Sequence, residues 1–466
     1  MMMEAILQDF EREVKEKIAG LMDELRENFD FAATEQVLTE MLNKLLASLL
    51  EKMLNVLLSE KNVLKWLKIL GGRLAMRFKE YRWVTTRLGN GQMIRVRAPY
   101  FIKTPPKDKR RRKKRGPNGS GASLGLDALG FIGRCSPQFV SEVVKMAVLA
   151  PSFEVAKEML EGWGITLNVK TIRRLCRDLG KIGLEFRGEI SLTGTEKLAG
   201  RTVVIGIDGG RLRERRKKPG RKKKGQKRQG YYTDWKEPKL FTIYLLDETG
   251  KVVKEFSPLH DATMGKHEAL FALLTRYLDA LDLSEVSRIV FCGDGAPWIW
   301  RGVEKLCRAL TQKPMYQVLD YTHAKQNLRE IIDLTPEKLR KGTRLERKWK
   351  KLLWKGNIQG LRQEICRLLK GAKKERALKK WRDYFEQNTK RMQYETFKAK
   401  HIPCGSGHVE SAIRRVINLR LKAPGSFWTS KMAEYFLFLR SQLISGRWKV
   451  FFRNASRQKA KILNIA

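Results

Sequence analysis

The segment Val203 to Gly210, VVIGIDGG, constrains the fold more than any other part of the chain. A run of apolar residues leads into an acidic residue, Asp208, and two glycines follow it. This pattern predicts a buried strand that ends at Asp208 and then turns. Because an acidic residue at a buried strand end is costly without compensation, we expect a basic side chain or a metal ion beside it.

A second carboxylate, Asp294, lies in the same setting. Residues 288–292 predict another buried strand, which ends at Asp294 within the sequence GDG. If the two strands are neighbours, Asp208 and Asp294 point into one space, where like charges repel each other. Carboxylates are hard oxygen ligands, so this pair favours divalent cations, with Mg²⁺ the best candidate beside nucleic-acid phosphate.

The pattern around these two strands predicts a mixed α/β sheet. The remaining strands are expected at Lys239–Asp247, at 251–258 as a hairpin partner of the former, and just before Asp320. Amphipathic helices are expected at Gly265–Leu281 and 302–311. The order β-β-β-α-β-α-β describes a five-stranded sheet whose first three strands are consecutive.

Charge indicates the class of partner. The chain has 466 residues, with 95 Lys and Arg against 50 Asp and Glu, a formal net charge of +45. So large an excess predicts a polyanionic partner, and we expect double-stranded DNA. A ribosome-like or membrane-surface basic protein is the alternative. Two strongly basic segments, 103–122 and the insertion Arg211–Arg228, are expected to contact phosphates.

Several other functions are not supported by the sequence. The six cysteines include no C-x-x-C pair, so a structural zinc site is not expected, and disulfides are not expected because the N-terminal sequence does not resemble a signal peptide. The most apolar stretch, Leu38–Leu58, contains four charged residues, which argues against a membrane span. No phosphate-binding loop of the G-x-x-x-x-G-K-[ST] type occurs, so no nucleotide cofactor is expected. The expected location is the cytoplasm, in association with the nucleoid.

The first 200 residues predict DNA-binding regions. Apolar spacing predicts helices up to about residue 80, which either pack as a domain or dimerise through a long apolar stripe. Alternation on both sides of Asn90-Gly91 predicts a β-hairpin. Three helices then follow, the third from Asn168 to Gly180, in a layout typical of a helix-turn-helix but shared by any three-helix bundle. The residues expected to meet DNA near the start of the third helix are Lys170, Arg173 and Arg174.

The last part of the chain supplies a third acidic residue. A basic helical block fills the region up to residue 400, and a new helix is expected from about His408, with Glu410 in its first turn. Each acidic residue alone has an ordinary alternative role, as a turn former at Asp208 and Asp294 or a helix-dipole partner at Glu410. Their combination favours one shared site. The expected division is 1–80, 81–102, 103–122, 123–200, 201–328, 329–400 and 401–466.

The layout of Asp208 and Asp294 at strand ends, with Glu410 on a late helix, resembles the RNase H-like DDE transposases and integrases. Asp320 to His323, DYTH, is similar to the D-x-x-H signature of the Mutator-like and hAT-like branches, which also carry a helical insertion. More specifically, IDGGRLR, GDGAPWIW, LDYTHA and GSGHVESAIRRVINLRLKAPGSFW together resemble a group of bacterial insertion-sequence transposases. The resemblance covers roughly residues 80 to 445.

This resemblance implies an α/β RNase H-like fold with an all-helical insertion, preceded by helical and helix-turn-helix regions. It implies that Asp208, Asp294 and Glu410 bind Mg²⁺ or Mn²⁺, two ions in all, and that His323 assists beside the scissile phosphate. His323 has a capping or core role as its alternative. The enzyme would bind terminal inverted repeats, cut their 3′ ends and join them to target DNA as a homodimer or higher oligomer.

Basic residues near the acidic triad are expected to hold DNA phosphates close to the cut. These residues are Arg211, Arg213, Arg414, Arg415, Arg420 and Lys422. Two further interpretations stay open. One is a metal-dependent nuclease on the same fold, and the other is a non-enzymatic basic protein that binds or regulates DNA.

Overall fold

The computed structural model describes residues 2–28, 30–104, 121–189, 192, 198–221, 225–226, 229–310, 313–340 and 344–455. The chain divides into two compact units, Met1–Phe186 with Lys449–Ala466 and Arg187–Trp448. Most of the expected basic linker 103–122, part of the insertion Arg211–Arg228 and the basic tail after residue 455 lie outside the described residues.

The first unit begins with three helices and a β-hairpin. The helices are α1 (Met2–Asn28), α2 (Phe31–Ser59) and α3 (Lys61–Arg73). The antiparallel strands β1 (Met76–Arg87) and β2 (Met93–Lys103) follow, and the short strand β3 (Gly121–Ala122) pairs with β2. The hairpin around Asn90-Gly91 is confirmed. The helices expected up to about residue 80 are confirmed as far as Arg73, and the chain changes to strand earlier than expected, because β1 pairs with β2 from Met76.

The same unit continues with a short helix and a three-helix group. The bounds are α4 (Leu124–Ala128), α5 (Pro137–Leu149), α6 (Phe153–Glu161) and α7 (Val169–Glu185). The side chains of Ser152 and Asn168 cap α6 and α7 by accepting backbone N–H bonds. Gly164 turns between these helices at a φ of +72°. The expected end of α7 at Gly180 is wrong: this glycine is buried inside the helix, which packs against α5 and continues to Glu185.

The second unit is built on a five-stranded mixed sheet. Its strands are β4 (Thr202–Gly209), β7 (Lys239–Leu246), β8 (Leu259–Thr263), β9 (Arg288–Gly293) and β10 (Met315–Leu319). They lie in the order β10-β9-β4-β7-β8. Strands β4, β9 and β10 are parallel to one another, whereas β7 and β8 continue the other side of β4 as antiparallel neighbours. The five-stranded mixed sheet is confirmed.

The position of the third strand is a correction. Residues 251–258 form no strand of the sheet and make only an isolated bridge between Leu246 and Val252. Pairing begins after the turn, where the N–H of Val253 donates to the carbonyl of Leu245 at 3.0 Å, but the chain then turns again, and the N–H of Phe256 donates to the carbonyl of Val253 at 3.3 Å. The strand that pairs with β7 is β8, whose five residues are all buried, His260 and Asp261 included.

The basic insertion after β4 contains a hairpin that the sequence analysis did not predict. Its antiparallel strands are β5 (Leu212–Lys217) and β6 (Tyr231–Lys236). They form a separate two-stranded sheet. Four of the six residues of β5 are Arg or Lys, so its sequence lacks the alternation of apolar and polar residues that indicates a strand.

Helices cover the second unit's sheet and fill the expected helical block. Two of them, α8 (His267–Leu281) and α9 (Pro297–Ala309), connect strands. The block consists of α10 (Tyr321–Ile332), α11 (Glu337–Arg340), α12 (Arg344–Trp354), α13 (Ile358–Leu368), α14 (Gly371–Lys380), a π-helical turn (Trp381–Glu386) and α15 (Tyr394–Ala399). Fully buried Trp349 and Phe385 contribute to its core.

The chain then returns to the sheet. The last helices of the unit are α16 (Gly407–Ala412), a π-helical turn (Ile413–Asn418), α17 (Leu419–Leu421) and α18 (Ser430–Ile444). Helix α16 packs on β4 and β7, and α18 packs on β8. Among the helices that the structure describes, none combines the length and apolarity needed to cross a membrane.

Candidate functional site

Three aspartates lie at the carboxyl ends of neighbouring strands of the sheet. In the parallel pairing of β4 with β9, Ile207 lies opposite Gly293, so the next residues, Asp208 and Asp294, emerge side by side. Gly293 also lies opposite the last residue of β10, and Asp320 follows it. The carboxyl ends of three neighbouring parallel strands therefore each present an aspartate, which is the position where open sheets place ligand-binding groups.

The Asp208 carboxylate is partly buried and close to other charges. Burial raises its pKa from 3.8 to about 6, and the negative charges of Asp294 and Glu410 act in the same direction. A backbone N–H bond from Gly209 at 2.6 Å and the charge of His323 oppose that rise. Because burial and like charges both disfavour the ionised form, this site favours a cation beside Asp208.

Asp294 is held by the turn that follows its strand. One carboxylate oxygen, Oδ1, accepts a hydrogen bond from the backbone N–H of Ala296 at 2.9 Å. The backbone carbonyl of Asp294 accepts a second bond from Nε1 of Trp300 at 2.8 Å. Trp300 is buried, and its indole fixes the backbone of this turn.

Asp320 is the residue that organises the centre of the site. It caps α10: its Oδ1 accepts bonds from the backbone N–H of His323 at 2.6 Å and from Nδ1 of His323 at 3.1 Å. Its Oδ2 accepts the backbone N–H of Ser406. Burial opposes ionisation of Asp320, but these bonds from His323 and Ser406 outweigh it and lower the pKa to about 2.

Glu410 reaches the same centre from helix α16. The hydroxyl of Ser406 donates a hydrogen bond to Oε1 of Glu410 at 2.8 Å. Since the backbone of Ser406 is itself bonded to Asp320, one continuous chain of hydrogen bonds joins His323, Asp320, Ser406 and Glu410. This network fixes Glu410 relative to the end of β10 although 90 residues separate Asp320 from Glu410 (410 − 320).

Among the described residues, Asp320, His323 and Glu410 form a group that could hold a metal ion, with their ligand atoms all within 4.8 Å of one another. Asp208 and Asp294 lie outside this group, although Asp208 interacts electrostatically with Asp294, His323 and Glu410. The sequence analysis named Asp320 only as part of the D-x-x-H signature and omitted it from the site residues. The signal that could have found it is its place at the end of a third parallel strand.

The donor set fits a hard divalent cation. Asp320 accepts three hydrogen bonds, which occupy most of the roughly four lone-pair positions of a carboxylate. We therefore assign Asp320 to orienting His323 and Ser406. Carboxylate oxygens suit such a cation, and the group of Asp320, His323 and Glu410 supplies two carboxylates and one imidazole.

The comparisons with known proteins assign the family. The sequence model of the uncharacterised protein family UPF0236 matches residues 126–447. The chain belongs to UPF0236. The matched range includes every residue of the acidic site, whereas α1 to α3 and the first hairpin of this UPF0236 protein lie before it. Searches of curated proteins and of solved structures found no match.

Basic residues lie close in sequence to the acidic centre of the UPF0236 chain. Arg414, Arg415 and Lys422 are exposed on the segment that follows Glu410, and Arg211 is exposed just after β4. Arg213 is half-buried. Arg420 is different: its side chain is buried, with its guanidinium over the rings of Trp428 and Phe436, so we remove it from the DNA-binding set.

The other predicted DNA-binding residues lie in the first unit. Lys170, Arg173 and Arg174 are all exposed on α7. Asn168 caps the start of that helix, so these cations decorate its first two turns. The guanidinium of Arg173 also lies over the ring of Phe153, at 5.1 Å from the centroid.

The helical block contributes Tyr384 to the surroundings of the site. Its hydroxyl is buried, and burial together with the charges of Asp294 and Asp320 raises the pKa of Tyr384 well above its ordinary value. The ring lies so close to the backbone of Gly295 that a β carbon there would stand 2.3 Å from it. The helical block therefore packs directly on the turn that carries Asp294.

Proposed function

We propose that the chain is a DDE transposase of an insertion sequence, with an RNase H-like catalytic core. The observation that carries the proposal is the convergence of Asp208, Asp294 and Asp320 at three neighbouring strand ends, with His323 and Glu410 beside them. Such a cluster in a chain of net charge +45 is suited to chemistry on a nucleic-acid phosphate.

The arrangement of elements supports the RNase H-like part of the proposal. The antiparallel neighbours β4, β7 and β8 are followed along the chain by β9 and β10, which pair in parallel on the other side of β4, and the helical block lies between Asp320 and Glu410. This is the order expected from the resemblance, with the acidic residues at strand ends and on a late helix. A helical block in this interval supports the proposed all-helical insertion.

The residues of the cluster have separate roles in the proposal. Asp208, Asp294 and Glu410 hold Mg²⁺ or Mn²⁺, two ions in all, which when bound would polarise a phosphodiester and stabilise the leaving oxygen. Because Asp320 is ionised at neutral pH, it can only accept from His323, which fixes the imidazole proton on Nδ1. Ser406 keeps Glu410 in place.

The partner in this proposal is double-stranded DNA, both the inverted repeats of the element and its target. The exposed cations Lys170, Arg173 and Arg174 on α7 would position the repeats, while Arg211, Arg414, Arg415 and Lys422 would hold phosphates near the acidic centre. Since DNA is the substrate, the proposed location is the cytoplasm, on the nucleoid.

We also propose that two or more copies act together, because two element ends must be cut. Exposed apolar residues recur on one face of α2 at a spacing of four, seven and four, and these residues are Leu42, Leu46, Met53 and Leu57. A stripe of this spacing on a helix is typical of a packing surface.

The experiment that tests the proposal uses a labelled duplex made from the DNA that flanks the coding region, where inverted repeats should be found. Incubated with the full chain and Mg²⁺ or Mn²⁺, this duplex should be cut at its 3′ end, and the cut end should join a supplied plasmid. Cutting without joining would indicate the nuclease alternative. Binding with no metal-dependent product would indicate the non-enzymatic alternative and overturn the proposal.

A further inference from the structure

The hairpin of β5 and β6 has two faces of different chemistry. Antiparallel pairing places Arg213 opposite Trp235 and Lys217 opposite Tyr231, so these side chains project from one face, which we call the aromatic face. Arg215 lies on the same face, between these two pairs. No acidic residue lies on this face within the described strands of the hairpin.

The opposite face of the hairpin holds its own neutralising charges. Glu214 lies opposite Asp234 there, and Arg216 bonds to Asp234. Glu214 is buried, accepts a hydrogen bond from the hydroxyl of Ser430, and ties the hairpin to the start of α18. The two faces therefore differ in net charge: the aromatic face carries Arg213, Arg215 and Lys217 with no carboxylate, whereas the opposite face carries two cations and two carboxylates.

The rings of the aromatic face are exposed to a degree unusual for aromatic side chains. Trp235 is 50% exposed and Tyr231 is 45% exposed. Every residue of β6 is exposed. Exposed rings on a two-stranded ribbon contribute little to folding, because they remove little apolar area from water. Their retention at the surface favours a binding role.

Arginine side chains lie against the rings of the aromatic face. The guanidinium groups of Arg211 and Arg213 lie 5.5 and 5.3 Å from the ring centroid of Trp235. That of Arg215 lies 6.0 Å from the centroid of Tyr231, whose ring is also 5.9 Å from that of Phe427. Flat aromatic and guanidinium surfaces alternating with positive charge are the surfaces on which unpaired bases stack while their phosphates are neutralised.

The hairpin is fixed next to the acidic centre. Only Gly210 and Arg211 separate β5 from the end of β4, which carries Asp208. At its other side, the backbone N–H of Arg215 donates to the carbonyl of Trp428 at 2.8 Å, and the N–H of Trp428 donates to the carbonyl of Arg213 at 3.0 Å. The aromatic face is thus held a few residues from the acidic site.

We propose that the aromatic face binds an unpaired DNA strand by base stacking beside the site of cleavage. In a duplex the bases stack on one another, so a duplex would contact only the cations of this face. Unpaired bases, by contrast, can stack on the exposed rings, and this stacking stabilises their binding. This inference rests on the proposed function, which makes DNA the ligand, and it adds that the DNA strand bound by the aromatic face is unpaired.

Binding of single-stranded DNA tests the proposal independently of cleavage. The full chain is titrated, with a chelator present, against a fluorescent oligonucleotide of about 16 nucleotides and against the matching duplex. Replacing Tyr231 and Trp235 together by Ala should raise the Kd for the single strand at least about tenfold. The Kd for the duplex should change by less than about twofold, since its phosphates meet the unchanged cations.

Two control variants keep the test specific. Tyr232→Ala removes a ring that is 53% exposed on the opposite face and should leave both affinities unchanged. Trp235→Phe keeps a flat ring and should retain most of the single-strand affinity. The proposal is overturned if the double variant binds the single strand as tightly as the wild type, if it loses duplex affinity equally, or if Tyr232→Ala has the same effect. Because no metal is present, failure of cleavage chemistry cannot produce these outcomes.

Discussion

Gly206 lies directly against Val409: a β carbon at residue 206 would stand 2.9 Å from the β carbon of Val409. Strand β4 and helix α16 therefore approach each other closely at this contact. Gly206 lies two residues before Asp208 on β4, and Val409 lies one residue before Glu410 on α16. This single contact sets the separation between the carboxylate at the strand end and the carboxylate on the helix. The absence of a side chain at residue 206 is what allows it.

Gly206→Ala should displace α16 and weaken catalysis more than DNA binding. The added methyl group meets both Val409 and Thr242 and cannot be accommodated without a backbone shift, so we expect a loss of about 1–3 kcal/mol in the free energy of unfolding. Urea titration measures this loss. Gly407→Ala is the matched control, since nothing lies within 4 Å of its added carbon. Equal behaviour of the two variants would show that the close approach does not position Glu410.

Asp320→Asn should break the organising network. Asparagine presents an N–H donor where the carboxylate accepts from His323 and Ser406, so at least one buried donor loses its partner, at about 2–4 kcal/mol. The pKa of His323, raised by this hydrogen bond against the effect of burial, should fall. Histidine NMR titration and urea unfolding measure the two effects. Asp333→Asn, at the exposed other end of α10, is the control, and a His323 titration identical in both variants would contradict the assignment.

His260 should make stability depend on pH. Among the described residues, neither buried ring nitrogen has a hydrogen-bond partner, and burial, followed by the charges of Arg415 and His408, lowers the pKa of His260 from 6.5 to about 4. As the pH falls below 6.5, the unfolded chain takes up this proton before the folded one does. The stabilisation is therefore complete above that pH and is lost as the pH approaches 4, by about 3 kcal/mol in all.

The variant His260→Leu removes this titration. Urea unfolding measured from pH about 7 down to about 4.5 should show a shallower loss of stability in the variant than in the wild type. The difference between the two curves isolates His260 from the carboxylates that titrate in the same range. Parallel curves would contradict the prediction.

The stripe on α2 should determine the oligomeric state. Leu42→Glu with Met53→Glu places charges at two positions of the stripe, which are 48% and 44% exposed, and should convert an oligomer into a monomer. Because both positions are exposed, the fold should be retained. Sedimentation velocity measures the mass, with Lys44→Glu as the control. A wild-type chain that sediments as a monomer both free and on end DNA would contradict the prediction.

The sheet could be predicted because the apolar runs at 203–207 and 289–292 are long, uninterrupted and closed by glycine and aspartate. The third strand could not. Residues 251–258 alternate as a strand does, whereas β8 contains His260 and Asp261, which only the tertiary structure shows to be buried. Asp261 is compensated by Arg187, which lies 74 residues earlier and bonds to it at 2.5 Å. No local pattern reveals such a distant ion pair.

Some residues of the candidate site could also be predicted from the sequence, and others could not. Asp208, Asp294 and Glu410 could be found from strand ends and from the resemblance, whereas the role of Asp320 depends on the backbone of Ser406, 86 residues later. Arg420 was misjudged because basic residues on a helix are ordinarily solvated, and its burial depends on Trp428 and Phe436. The aromatic face was missed because its rings and its cations come from separate strands, joined only by pairing.

Cleavage by Asp208→Asn and Asp294→Asn proteins tests the central claim most directly. On a labelled element end in Mg²⁺, each variant should cut at least about a hundredfold more slowly than the wild type, while binding the same DNA in a chelator with unchanged affinity. Asp279→Asn, which changes an exposed aspartate on α8, is the control and should cut normally. Wild-type cutting by either Asp208→Asn or Asp294→Asn would contradict the assignment of these carboxylates as the catalytic centre.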